Sequence, residues 1–298
     1  MKFPWSKYEE IPLERRNTLQ IFITGRCNLK CKGCFARRAM EENCGDINLR
    51  EYKEAVFTFL EKGGRQINIL GGEPLLHPEL RKILDINREN NIKTTIYTNG
   101  YFLKNYTKKD FEGIKLRISL CSQEMQDKQI KKLPITDIPF DANFMISKKT
   151  TLNEMLDCAN YVEKNYNSKV FFIFSMRELD NPRQEFFDDT DNTMPVIDYK
   201  ELVHKFLEEY DGNMNIHISK RGVFESTKTL PDTKCRFANY FIGGKIIQCP
   251  YDVVNLKFQK DYEFNCRDCQ QNNTCLMSKI ILKKNMINYL VKPKEILF

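Results

Sequence analysis

The sequence predicts an α/β fold built on a parallel sheet, and three features carry that prediction. Short, almost continuous apolar runs alternate with amphipathic segments of helical period. The runs lack the in-out alternation of a sheet with one wet face, so they suit parallel strands covered on both sides. Cap and turn residues fall between the two kinds of segment rather than inside them. Six such strands with roughly six helices imply right-handed βαβ connections, and a sheet of that length can curve into a partial (β/α)6 barrel.

The elements follow in order. Residues 1–17 form a charged lead-in, and TLQIFIT (18–24) is the first strand. NLREYKEAVFTFLEKGG then sets Leu49, Tyr52, Val56, Phe59 and Leu60 on one helical face. Asn48 with Glu51 resembles a capping box, and Gly63 suits the stop. QINIL (66–70) is the second strand, and Pro78 opens PELRKILDINREN with Leu80, Ile83 and Leu84 inward. KTTIYT (93–98) is the third, followed by the weakest helix, within 104–113. KLRISL (115–120), ANFMIS (142–147) and VFFIFS (170–175) complete the strands. TLNEMLDCANYVEKNY and DYKELVHKFLEEY are the last two helices, with Asp198 and Glu201 marking the second of these caps.

A chain of 298 residues accommodates one large domain with a smaller companion. The βα alternation stops near residue 212, so residues 1–212 are read as the barrel and 213–298 as a second domain. In the latter, FIGGKIIQCP reads as a β-hairpin turning at Gly243-Gly244. Residues 178–198 are acidic, contain proline and lack periodicity; a solvated connection is the expectation, a substrate lid the alternative.

No apolar run approaches a membrane span, and MKFPWSKYEEIPLERR has no signal-peptide core, so the expected compartment is the cytoplasm. The net charge of +7 is dispersed as lysine pairs, not concentrated as a nucleic-acid footprint, although it tolerates an anionic substrate. In a reducing compartment, clustered thiols argue for metal binding or catalysis. Of the 11 cysteines, three lie at 27, 31 and 34 and five between 235 and 275. Cys27, Cys31 and Cys34 are spaced C-x3-C-x2-C directly after the first strand, one ligand short of a closed tetrahedral site. Thiolates suit zinc and iron–sulfur centres alike.

Other segments separate the two. LGGEP (70–74) ends the second strand, YTNG (97–100) the third, and RISL (117–120) forms part of the fourth. In this order the motifs resemble those of the radical S-adenosylmethionine (radical SAM) enzymes, and the chain is identified as a member of that superfamily. The resemblance implies a TIM-like partial barrel and a [4Fe–4S] cluster on Cys27, Cys31 and Cys34. Its fourth iron is left for the amino and carboxylate groups of S-adenosylmethionine (SAM). It further implies Gly71, Gly72, Glu73 and Pro74 at the methionine amino group, with Thr98, Asn99, Ser119 and Arg177 as other contacts. Where relatives commonly carry an aromatic residue before the third cysteine, this chain has Gly33, and Phe35 follows as the aromatic candidate. Where many carry an acid after the fourth strand, it has Cys121.

The rear cysteines resemble the front of a SPASM extension, or its shortened twitch form. Cys235 and Cys249 flank Gly244, and Cys266, Cys269 and Cys275 follow as C-x2-C-x5-C; Lys279 stands where the next cysteine is expected. Five thiolates cannot complete two cubane clusters, so the resemblance implies one auxiliary [4Fe–4S] cluster on Cys235, Cys249, Cys266 and Cys269. Cys275 is a substitute ligand, and a structural zinc is the alternative. His77, His204 and His217 are read as structural or surface residues.

The expected function is a radical SAM oxidoreductase. A flavodoxin- or ferredoxin-type donor reduces the cluster, SAM is cleaved to a 5′-deoxyadenosyl radical, and hydrogen is taken from a small polar or anionic metabolite or a short peptide. Alternatives are a peptide maturase (of ribosomally made, modified peptides), an epimerase with Cys121 or Cys275 as hydrogen donor, a glycyl-radical-enzyme activase, and a non-enzymatic zinc-binding module. No leader-binding segment is recognisable in the lead-in.

Overall fold

The computed structural model describes residues 18–31, 34, 36–43, 45–61, 63–121, 133–175, 194, 196–219, 239–247 and 279–282. All six expected strands form: β1 (Thr18–Phe22), β2 (Gln66–Leu70), β3 (Lys93–Thr98), β4 (Ile114–Cys121), β5 (Asp141–Ile146) and β6 (Val170–Ser175). They pair in chain order, each parallel to the next. The sheet continues beyond six strands. β7 (Asn215–Ser219) adds in parallel to β6, and β8 (Asn239–Ile242) adds in parallel to the free side of β1. β9 (Lys245–Ile247) completes the expected hairpin with β8, turning through Gly243 and Gly244 at φ +53° and +76°. β10 (Lys279–Leu282) closes the opposite edge, antiparallel to β7.

Five helices connect these strands among the described residues: α1 (Arg37–Glu42), α2 (Leu49–Glu61), α3 (Leu80–Glu89), α4 (Leu152–Asn165) and α5 (Val196–Glu209). At the start of α2 the backbone N–H of Glu51 donates to Asn48 Oδ1 at 2.9 Å, and Gly63 follows its end at φ +86°. Thr151 and Glu154 cap α4 reciprocally.

Two expectations change. The segment 104–113 is not one helix but two 3₁₀ turns, Leu103–Asn105 and Lys108–Phe111. Tyr106 between them is extended, and Thr107 forms a capping box with Asp110 that starts the second turn afresh. α5 begins at Val196, so Asp198 lies in its first turn rather than at its cap. An acid there still faces the positive end of the helix dipole.

Side chains alternate along a strand, and the sheet's two faces differ in chemistry. One set, including Ile21, Ile69, Ile96, Ile118, Phe144 and Phe171, is buried in a single core with helix residues such as Val56, Ile83, Met155, Val162 and Phe206. The registered alternate positions carry Gln20, Asn68 and Thr95, then Tyr97 and Arg117, then Ser119 and Asn143. This face is the concave one, opposite the core formed with α2–α5; over β1 and β8 it also carries Phe22 and Ile242, which pack against Ala36 and Ala39 at α1. Its upper rim, at the C-terminal strand ends, is where α/β barrels hold their chemistry.

α2 and α3 are joined by one buried polar contact: the Tyr52 hydroxyl donates to Asn87 Oδ1 at 2.9 Å, with both residues inaccessible to solvent. Asn87 Nδ2 has no hydrogen-bond partner among the described residues. Tyr52→Phe strips the amide of its remaining partner, and we expect a loss of about 1–3 kcal/mol, read by urea unfolding.

Candidate functional site

The β1–β2 ladder does not stop where the strands do. The N–H of Ile23 donates to Leu70 O at 3.0 Å, that of Gly72 to Thr24 O at 2.8 Å, and that of Glu73 to Arg26 O at 2.8 Å. Thr24–Arg26 and Gly71–Glu73 therefore run side by side beyond the sheet. Gly71 has φ +151°, and a Cβ on it would lie 2.5 Å from Thr24 O. A Cβ on Gly72 would lie 2.2 Å from Arg26 O and 2.9 Å from Cys27 Cβ. Only glycine allows this approach.

Cys27, Cys31 and Cys34 leave this stem in one loop, each half-buried and free of disulfides. The N–H of Leu29 donates to Cys27 Sγ at 3.4 Å. The Arg37 guanidinium donates to Cys31 O at 2.8 Å, and the N–H of Arg37 to Cys34 O at 3.2 Å. Burial pushes the Cys27 and Cys34 thiols above their ordinary range, as do the Glu73 charge for Cys27 and the Cys27 charge for Cys34. Among the described residues no three Cys, His, Asp or Glu side chains are already gathered as a metal-binding group. The donor set nonetheless fits an iron–sulfur centre: three thiols on one loop, and a glycine-lined segment packed against its first cysteine. Metal binding deprotonates such thiols and so overcomes their raised pKa.

Glu73 is fully buried. Its Oε1 accepts from the Thr98 hydroxyl at 2.5 Å and from the N–H of Leu75 at 3.0 Å; its Oε2 accepts from the N–H of Asn99 at 2.7 Å. Burial pushes this carboxyl up to about 7, and the three hydrogen bonds limit the rise. Pro74 follows at the start of a 3₁₀ turn, Pro74–Leu76, whose N-terminus Glu73 caps. Asn99 then reaches the cysteine loop, donating through Nδ2 to Asn28 Oδ1 at 2.8 Å. Glu73, Pro74, Thr98 and Asn99 are thus brought together with the stem of the cysteine loop, while the Glu73 carboxylate is turned into the protein.

Ser119 is half-buried on β4 beside Asn143. Cys121 ends β4, paired in register with Met145. Phe35, Arg177, Cys235, Cys249, Cys266, Cys269 and Cys275 lie outside the described residues. His77 is buried and structural in its bonding: Nδ1 accepts from the N–H of Glu79 at 3.1 Å, so Nε2 donates to Ile47 O at 3.0 Å.

Three residues at the site escaped the sequence reading. Arg26 forks onto Asp46 at 3.2 and 2.7 Å and donates to Leu76 O at 2.7 Å, tying the stem to two neighbouring segments. Asn28 is the third, through its bond to Asn99. Asp46 stands 20 positions from Arg26, and no local pattern marks such a pair.

Glu73→Gln keeps the size of the side chain but presents an NH2 to one of three donors. We expect about 1–3 kcal/mol of destabilisation from the unmet donor, measured by denaturant unfolding of the metal-free protein. A neutral outcome would mean that the carboxyl is already protonated and that one of the three contacts is dispensable.

The sequence from 21 to 190 matches the family model of the Radical SAM superfamily. A probable GTP 3′,8-cyclase of Methanococcus maripaludis is 32% identical over 119 residues, 40% of each chain. The subtilosin biosynthesis protein AlbA of Bacillus subtilis is 30% identical over 115 residues, covering 36% of this chain and 25% of AlbA. The chain thus spans about two fifths or less of the length of these curated relatives. Among solved structures, Streptococcus suis SuiB bound to its precursor peptide SuiA superposes with a TM-score of 0.63 at 18% identity, over 85% of this chain and 63% of SuiB. The AdoMet-bound structure of anSMEcpe gives 0.56 at 15% identity, over 87% and 81%. These likenesses are of fold. With the family model covering more than half of its length, the chain belongs to the radical SAM superfamily.

Proposed function

We propose that the protein is a radical SAM enzyme acting on a polar or anionic metabolite or a short peptide, with Cys27, Cys31 and Cys34 holding a [4Fe–4S] cluster. The observation that carries this reading is the close backbone contact between the cysteine stem and Gly71–Glu73. When bound, cluster and SAM supply an electron-driven cleavage that yields a 5′-deoxyadenosyl radical able to take hydrogen from an unactivated C–H bond.

The chain's own residues bind, orient and shield. We assign the Gly71 and Gly72 carbonyls as acceptors for the SAM ammonium group. Glu73 works at one remove, holding Thr98 and the Asn99 backbone in place. Asn99, through Asn28, steadies the loop between the first two cysteines. Ser119, Phe35 and Arg177 are assigned as further SAM contacts, and Pro74 shapes the turn beside them. A flavodoxin- or ferredoxin-type protein is the proposed electron donor.

Cys235, Cys249, Cys266 and Cys269 are assigned as the residues that would hold one auxiliary [4Fe–4S] cluster, with Cys275 as substitute; such a cluster would supply an electron acceptor beside the substrate. Oxidation is therefore the proposed outcome. Similarity to proteins named for GTP 3′,8-cyclisation and for subtilosin biosynthesis supports both substrate classes. The fold shared with SuiB, solved with a precursor peptide, favours peptide maturation as the second reading. In an epimerase, Cys121 or Cys275 would return hydrogen instead.

Anaerobic reconstitution followed by iron and sulfide analysis tests the assignment. About eight irons per chain, with reductive SAM cleavage, is the expected result; about four supports the front cluster alone. Zinc without sulfide overturns the reading. Cys31→Ala should abolish SAM cleavage. Cys266→Ala should retain uncoupled cleavage while substrate turnover stops, and equal loss of both activities in a folded variant would count against an auxiliary cluster.

A further inference from the structure

A barrel whose interior served only as a core would carry branched apolar side chains at mid-depth. Here that depth is crossed by Tyr97, Arg117 and Asp141, neighbours by register on β3, β4 and β5. The next row towards the C-terminal strand ends holds Ser119, Asn143 and Phe172.

Arg117 is clamped more than it is paired. Its guanidinium carbon lies 3.8 Å from the Phe172 ring centroid and 5.2 Å from that of Tyr97, and Nη1 donates to the Tyr97 hydroxyl at 3.0 Å. Asp141 Oδ2 is 3.6 Å from Nη2, beyond hydrogen-bond range, and is taken up by Lys115 Nζ at 2.8 Å. One donor, Arg117 Nε, and two acceptors, Asp141 Oδ2 and Asn143 Oδ1, are buried with no hydrogen-bond partner among the described residues. Two cations thus share one carboxylate, and the surplus charge is a rigid guanidinium whose Nε donor is unmet.

We propose that Arg117 receives an oxyanion of the substrate, a carboxylate or phosphate group, in the barrel lumen. The proposal rests on the radical SAM reading and narrows its substrate. A guanidinium edge matches such a group in a bidentate fork, and the flanking rings hold it ready. Ser119 is two residues nearer the strand ends, about 7 Å along the strand.

Calorimetric titration of the anaerobically reconstituted full chain tests this. The probes are succinate, inorganic phosphate and acetyl-Gly-Glu-Gly-amide, with succinamide and acetyl-Gly-Gln-Gly-amide as neutral counterparts. An anionic probe should bind about tenfold or more tightly than its neutral counterpart, and Arg117→Gln should erase that preference and any phosphate binding. Arg117→Lys, which keeps the charge but loses the fork, should weaken anion binding by about tenfold. Asn143→Asp, which leaves Arg117 in place, should also weaken only the anionic probes. Preference for succinate or phosphate indicates a free metabolite; preference for the acidic peptide indicates a peptide side chain. Equal binding of charged and neutral probes, or an undiminished preference in Arg117→Gln with wild-type circular dichroism and iron content, overturns the proposal. Wild type that cleaves SAM yet shows no preference overturns this inference alone, whereas wild type without sulfide-bearing iron overturns the function itself.

Discussion

The site depends on one backbone constraint: the β1–β2 pairing persists for several residues after both strands have ended. Gly72 to Thr24 and Glu73 to Arg26 are hydrogen bonds at 2.8 Å, and they leave no room for a side chain on either glycine. A cysteine-rich loop leaving a strand freely would lose several residues of backbone entropy on ordering, each worth about 1–2 kcal/mol. Here the ladder has already ordered the stem up to Arg26. The first cysteine is therefore set by sheet geometry rather than by the loop's own preferences. The Arg26 fork onto Asp46 and Leu76 O adds a second restraint on the same stem.

The same stem leads into the most unusual electrostatic feature nearby. A carboxylate with no solvent access is costly unless it is hydrogen-bonded, and Glu73 has three donors drawn from two separate segments. Its carboxyl, pushed up to about 7 against an ordinary value of 4.5, is stabilised by those donors less than it is penalised by burial. By linkage, a raised acid contributes stability that is present below its unfolded pKa and lost as pH rises through its folded one. The residue is thus poorly explained as a device for stability near neutral pH. Coupling the β2 turn to the Thr98–Asn99 segment, and through Asn99 to Asn28, accounts for it better.

The sheet was legible because short segments rich in β-branched and apolar residues recur between helical patterns, and QINIL, KTTIYT and ANFMIS each became a strand within a residue or so of the expected limits. What was hidden is non-local. KIIL gains its place by pairing with β7, some 60 residues earlier, and NYFI by pairing with β1, more than 200 residues earlier. Neither has a periodic signal long enough to stand alone. The segment after β3 was misread because its apolar residues suit a helix, whereas the extended Tyr106 and the fresh cap at Thr107 divide it. At the site, motif order located Gly71–Glu73 and Thr98–Asn99, but not the direction of the Glu73 carboxylate. Nor could local pattern reveal Arg117, one of many basic residues until the register sets it between Tyr97 and Asp141.

The two faces of the sheet divide its labour. Residues such as Ile21, Ile69, Ile118 and Phe144 bury their whole side chains against helices, and each such burial stabilises by roughly 1.5–3 kcal/mol. The concave face, with Gln20, Arg117 and Asn143 each holding an atom unmet among the described residues, costs stability instead, about 1–3 kcal/mol per buried unmet group. A sequence under selection for stability alone would replace those positions with valine or isoleucine, which the β-structure favours in any case. Their polarity is therefore an expense borne by the helix-facing core, and a barrel interior kept polar at such cost is one adapted to receive something other than its own side chains.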